Sequence, residues 1–191
     1  MSARDSVGVL WCGNNRTGRS NGWSFPPAVD RHLRALTAGK KVLQLFGGMA
    51  RFGLKLDIDP RTRPQVLGDA WMPPFKKDAF DVVILDPPYS AINQQMKTQL
   101  LRQAAYVAAE HVIWFHTMWI GADSKLRLER SWLVRVGDSC YCRCIQVFRT
   151  PAVKPRPVPR FTRGPAIKYN RWLDGQMALP MERASGEKRK H

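Results

Sequence analysis

Between residues 23 and 150, short apolar runs alternate with stretches of helical periodicity, the pattern of an α/β domain built on a mostly parallel sheet. Residues 41–46 (KVLQLF) read as a strand ending in Gly47-Gly48, and residues 54–58 (LKLDI) as a second, closed by Asp59-Pro60. The run 81–85 (DVVIL) is mostly apolar, as a central strand covered on both faces should be. Residues 27–37 predict a helix, with Pro27 at its first position and Gly39 just past its end. Residues 93–110 predict another, because Met96, Leu100, Leu101, Ala104 and Val107 recur at helical spacing. A strand follows at 111–119. The runs 132–136 and 141–148 flank Gly137-Asp138, which predicts an antiparallel hairpin at the sheet edge.

Both ends depart from this pattern. Residues 1–22 are rich in Gly, Asn, Ser and Arg with little apolar periodicity, and read as a flexible basic arm. Residues 151–191 form a basic, Pro-rich extension whose closely spaced prolines exclude both helix and central strand. Its rings at Phe161, Tyr169 and Trp172 suit either stacking on nucleic-acid bases or packing as a strap against the domain. The expected organisation is therefore one folded domain over 23–150 between two tails.

Charge changes the picture most. The 191 residues carry 31 Lys+Arg against 15 Asp+Glu, a net charge of +16, which makes a polyanion the natural partner. The excess is densest in residues 151–191, with 10 basic and 3 acidic residues. Nucleic acid is the leading candidate, DNA ahead of RNA. No apolar run approaches the ~20 residues of a membrane span, and residues 1–10 lack the apolar core of a secretory signal. Cys140, Cys142 and Cys144 alternate along one predicted strand, so they share a face and read, with Cys12, as small buried hydrophobes rather than disulfides or metal ligands. A cytoplasmic location (host cytoplasm for a viral protein) and no metal are expected; oligomeric state is left open.

The sharpest chemical signal is DVVILDPPYS, an apolar strand delivering Asp86, Pro87, Pro88 and Tyr89 at its carboxyl end, where α/β sheets bind ligands. An exocyclic amine of adenine or cytosine is a poor nucleophile because its lone pair is delocalised into the ring. A carboxylate (Asp86) and a backbone carbonyl (Pro87), each accepting one N–H of that amine, favour a tetrahedral nitrogen and turn its lone pair toward an electrophile. The prolines hold the carbonyl rigidly through their fixed φ. Tyr89 is suited to stack on a base flipped out of its duplex.

These residues resemble those of the S-adenosylmethionine-dependent amino-group methyltransferases of nucleic acids, whose mark is Asp-Pro-Pro-Tyr after the fourth strand of a Rossmann-like class I sheet. VLQLFGG, LKLDIDP and VLGDA precede the loop in the order that family uses for its cofactor. The resemblance implies that Phe46, Gly47 and Gly48 lie along the methionine part of S-adenosylmethionine, with Phe25-Pro26 covering that end. Asp57 and the adjoining Ile58 would meet the ribose, Asp59 being the nearby alternative, and Asp69 with the Ala70 amide would read the adenine. Taken singly, Gly47-Gly48 is also a turn, Asp59-Pro60 a loop starter and Asp69 a helix cap. Their joint order before Asp86 is what favours the family.

Two departures stand out. Only eight residues, 49–56, separate Gly48 from Asp57, whereas a βαβ crossover takes about a dozen or more; the first crossover helix should be missing or reduced to one turn, leaving a loop through Arg51 and Phe52. Only 26 residues separate Asp59 from Asp86, too few for a recognition domain, so the tails should read the substrate. That layout is similar to small phage-type adenine-N6 DNA methyltransferases of relaxed specificity. An RNA-base or cytosine-N4 methyltransferase, or a non-catalytic nucleic-acid-binding protein on the same fold, are the alternatives. Thr117, Trp119 and Lys125 are candidates to line a base pocket, and His116 is assigned no role.

Overall fold

The computed structural model describes residues 6–11, 24–88, 94–117, 126–135 and 142–151. In chain order these form β1 (Ser6–Trp11), α1 (Pro27–Leu36), β2 (Val42–Leu45), β3 (Leu54–Asp57), a short 3-10 helix (Pro60–Thr62), β4 (Val66–Leu67), β5 (Phe80–Leu85), α2 (Gln94–Val107), β6 (Ala108–His116), β7 (Arg127–Arg135) and β8 (Cys142–Arg149). The strands make one sheet in the order β1-β7-β8-β6-β5-β2-β3-β4. Every pairing is parallel except the two made by β8, which runs against both β6 and β7. This is the expected α/β sheet with an antiparallel hairpin pair.

β5 is central because its residues are apolar on both faces. Val83 and Leu85 pack with Leu100, Leu101, Ala104 and Val107 of α2. Val82 and Ile84 face the other way, toward Val29 and Leu33 of α1. Each such aliphatic side chain contributes roughly 2 kcal/mol by leaving water. α1 starts with Pro27 at its first turn, carries an Asp30–Arg34 ion pair at 2.7 Å and closes with the Thr37 amide on the Leu33 carbonyl.

The first crossover has no helix. A four-residue strand is about 13 Å long and eight extended residues reach about 26 Å, so the bare loop 46–53 can return to start a parallel neighbour. Gln44, buried on β2, pins that loop by donating its amide to the Phe52 carbonyl at 2.7 Å.

Four expectations are corrected. Residues 6–11, read as part of a flexible arm, form β1 parallel to β7, so the hairpin is not the sheet edge. Gly8 sits opposite Trp132 in register, and a Cβ there would lie 2.4 Å from Trp132 Cδ1. That glycine interrupts the apolar run and hides the strand from pattern reading, yet it is what admits the indole. The helix read to 110 ends at Val107, because pairing of Ala108 with Phe80 extends β6 backward and overrides helix propensity. β4, at two residues, is too short to carry a period. On β8, Cys144 is buried as expected whereas Cys142, near the strand end, is exposed; Cys12 and Cys140 lie outside the described residues, as do the rest of the N-terminal arm and the extension beyond Pro151. No helix among the described residues is long and apolar enough to cross a membrane.

Candidate active site

Strand order reverses between β2 and β5: β3 and β4 extend the sheet one way, β6 the other. Such a switch point opens a crevice at the carboxyl ends of the strands. Leu45 is in register with both Leu85 and Leu56. Phe46-Gly47, Asp57 and Asp86 therefore leave the sheet side by side, about 5 Å per strand apart. Segments far apart in sequence are thus brought to one edge.

Phe46 has φ 60 and Gly48 φ 47. A left-handed phenylalanine is uncommon and costs on the order of 1 kcal/mol or more. Gly47 needs its missing side chain for another reason: a Cβ there would lie 2.8 Å from Lys55 Cβ. The Gly48 amide donates to Asp57 Oδ2 at 2.8 Å, and the Asp59 amide to Asp57 Oδ1 at 2.9 Å. Asp57 is therefore first a brace for the turn. A carboxylate offers about four acceptor sites, so its structural duty leaves room for a ligand hydroxyl. Asp59 is committed elsewhere: Arg61 grips it at 2.8 Å, and that hydrogen bond holds its carboxyl below the usual range.

Beyond β4, the Gly68 amide donates to the Asp57 carbonyl at 2.9 Å, which ties the next segment to the same edge. Asp69 caps a turn, accepting from the Trp71 amide at 2.9 Å. Ala70 is buried in the core, and its amide has no hydrogen-bond partner among the described residues. Of the six large apolar side chains left exposed among the described residues, four (Met49, Ile58, Leu67 and Met72) lie at or just beyond the ends of β2, β3 and β4. That rim suits a flat, partly apolar ligand.

Asp86 is partly buried, Pro87 buried and Pro88 partly buried at the end of β5; Tyr89 lies outside the described residues. Phe25, which with Pro26 immediately precedes α1, meets Phe115 edge-on at 5.5 Å. Phe115 lies one residue beyond Trp114, the register partner of Leu85, so Phe25 reaches the strand beside Asp86. Thr117 is exposed at the end of β6, while Trp119 and Lys125 lie outside the described residues.

Behind this edge lies a core histidine, to which sequence reasoning gave no role. His116 is fully buried, and desolvation, aided by the charges of Lys97 and Arg143, pushes its imidazole down to about 4. Burial pushes the Cys144 thiol up to about 11, and the thiol donates to the His116 carbonyl at 3.2 Å. Burial also lowers Lys97. Lys55 was missed: in L-K-L-D it alternates as a solvent-facing residue, but the crossover loop covers it.

No family model and no curated protein matches the chain. Among solved structures it is similar to the N-methyltransferase NodS from Bradyrhizobium japonicum, at 12% identity over 64% of this chain and 94% of that one, with a TM-score of 0.50. It is also similar to magnesium protoporphyrin IX methyltransferase from Synechocystis with bound S-adenosylmethionine, at 12% identity over 64% and 77% of the two chains, with a TM-score of 0.47. The first likeness is one of fold: the Rossmann-like class I sheet.

Proposed function

We propose that the protein is an S-adenosylmethionine-dependent methyltransferase acting on the N6 amine of adenine in DNA, with relaxed sequence specificity. The observation that carries this reading is the convergence of the Phe46-Gly47-Gly48 turn, Asp57 and Asp86 on adjacent strand ends at the switch point. The residues fit the cofactor. The turn at Gly47 and left-handed Gly48 lets backbone approach the ligand, Asp57 keeps acceptor capacity for ribose hydroxyls, and the Ala70 amide can donate to an adenine nitrogen beside the rim of Met49, Ile58 and Met72.

When bound, the cofactor supplies a methyl group on a positively charged sulfur. The chain's own work is to hold and polarise the amine. Asp86 and the Pro87 carbonyl each accept one N–H, which raises electron density on the nitrogen, and Tyr89 stacks on the extruded base. The nitrogen gains the methyl and loses one proton, to Asp86 or to water. Positioning of this kind is worth several kcal/mol of barrier. The net charge of +16 and the basic extension support a nucleic-acid substrate.

The test is transfer of labelled methyl groups to DNA and to RNA, followed by nucleoside identification. N6-methyladenine in DNA is expected, and it should vanish in Asp86→Ala while the circular dichroism spectrum is kept. Undiminished transfer by that variant refutes the mechanism. Label confined to RNA, or to another base, refutes the substrate.

A further inference from the structure

Lys55 is a buried cation whose direct hydrogen-bond partners among the described residues are two neutral carbonyls. It lies on β3 at 8% exposure, directly under Gly47. Its ammonium donates to the Gly48 carbonyl at 3.3 Å and to the Thr62 carbonyl at 2.9 Å. An ammonium has three donors, and the third finds no acceptor among the described residues. No carboxylate forms an ion pair with Lys55 among those residues either. Burial of a charge without a counter-ion is costly, and proteins generally pair such groups.

The surroundings indicate where the counter-charge comes from. Gly48 is held at both ends, its amide by Asp57 and its carbonyl by Lys55. The turn that a crossover helix would ordinarily follow is thus braced by two side chains of the next strand. A helix N-terminus also offers positive potential to an anion. In this chain the crossover loop lacks that helix, and Lys55 places a full positive charge beside the same turn.

We propose that Lys55 takes over both tasks of the missing helix: it positions the Gly47-Gly48 turn and supplies the counter-charge for the carboxylate of the cofactor's amino-acid end. The inference rests on the cofactor reading above. It assigns Lys55 to the α-carboxylate in particular, not to the adenosine.

Two ligands that differ at that end provide the test. S-adenosylhomocysteine carries the amino-acid carboxylate; 5′-methylthioadenosine keeps the adenosine and thioether and lacks it. Their affinities are measured by calorimetry on the full chain and on Lys55→Met and Lys55→Arg, with melting temperatures recorded alongside. Loss of a charge-assisted contact predicts at least about tenfold weaker binding of S-adenosylhomocysteine by Lys55→Met. Methylthioadenosine should stay within about twofold by the same reasoning, and Lys55→Arg should recover most of the loss. Equal weakening of both ligands, or of neither, overturns the assignment. If Lys55→Met does not fold, Lys55→Gln, which keeps a donor for the two carbonyls and removes the charge, decides: weaker binding of S-adenosylhomocysteine alone upholds the assignment, equal effects on the two ligands refute it. Failure of the unaltered chain to bind either ligand refutes the cofactor reading itself, a separate result.

Discussion

Replacing Gly47 by alanine tests the proposed cofactor turn with a single methyl group. The left-handed φ values in this turn belong to Phe46 and Gly48, not to Gly47, so the backbone of residue 47 accepts alanine and the whole effect is steric. The new Cβ would lie 2.8 Å from Lys55 Cβ, 3.1 Å from Cγ and 3.2 Å from Cα. Carbon atoms rest at about 3.5–4.0 Å, so the turn and β3 must separate by roughly 0.7 Å or more. One of the opposing atoms is backbone, held in the β2–β3 ladder, and cannot swing aside. Overpacking of this kind costs about 1–3 kcal/mol, which in a chain of this length lowers the melting temperature by about 2–4 °C per kcal/mol. A shift near 1 Å in a binding or reacting geometry costs on the order of 10²-fold. Scanning fluorimetry should therefore show a loss of about 5 °C, and calorimetry should show S-adenosylhomocysteine bound at least about tenfold more weakly. Gly68→Ala is the control, since its Cβ would meet Leu56 Cδ1 at an ordinary 3.6 Å. If Gly47→Ala melts and binds as Gly68→Ala does, the tight packing of the turn on Lys55 is not what shapes the site.

Acid sensitivity is expected from His116. Its imidazole titrates at the ordinary 6.5 when unfolded and at about 4 in the fold, so stability is full above 6.5. As pH falls toward 4 the unfolded chain gains a proton that the folded chain refuses, and roughly 3 kcal/mol is lost. His116→Gln should flatten the melting curve over that window, and parallel pH curves for the two proteins would refute the assignment. Deleting residues 151–191, which carry 10 basic and 3 acidic residues, should weaken DNA binding and make its logarithmic salt slope shallower; an unchanged slope places recognition elsewhere.

Local chemistry written into the chain was enough for much of this molecule. The mostly apolar run of β5 announced a strand buried on two faces, the spacing of Leu100, Leu101, Ala104 and Val107 announced the inner face of α2, and the short gap between Gly48 and Asp57 announced a crossover with little or no helix. These are periodicities and lengths, which one-dimensional order retains. The candidate site was legible as an order of motifs, because each sits at the end of a strand and strand ends are marked by glycine, aspartate and proline.

Pairing and burial decided the rest. That β1 caps the sheet depends on Gly8 lying opposite Trp132, a fact of register between residues more than 120 positions apart. Asp57 stood out in the sequence as a candidate ligand-binding carboxylate, but its grip on the Gly48 amide needed the turn and β3 in contact. Lys55 and His116 looked like an ordinary strand lysine and a core histidine. One became a buried cation under the Gly47-Gly48 turn, and the other a neutral imidazole behind the candidate site, only when a loop and neighbouring strands removed their water. Desolvation depends on what closes over a residue, and that is settled in three dimensions.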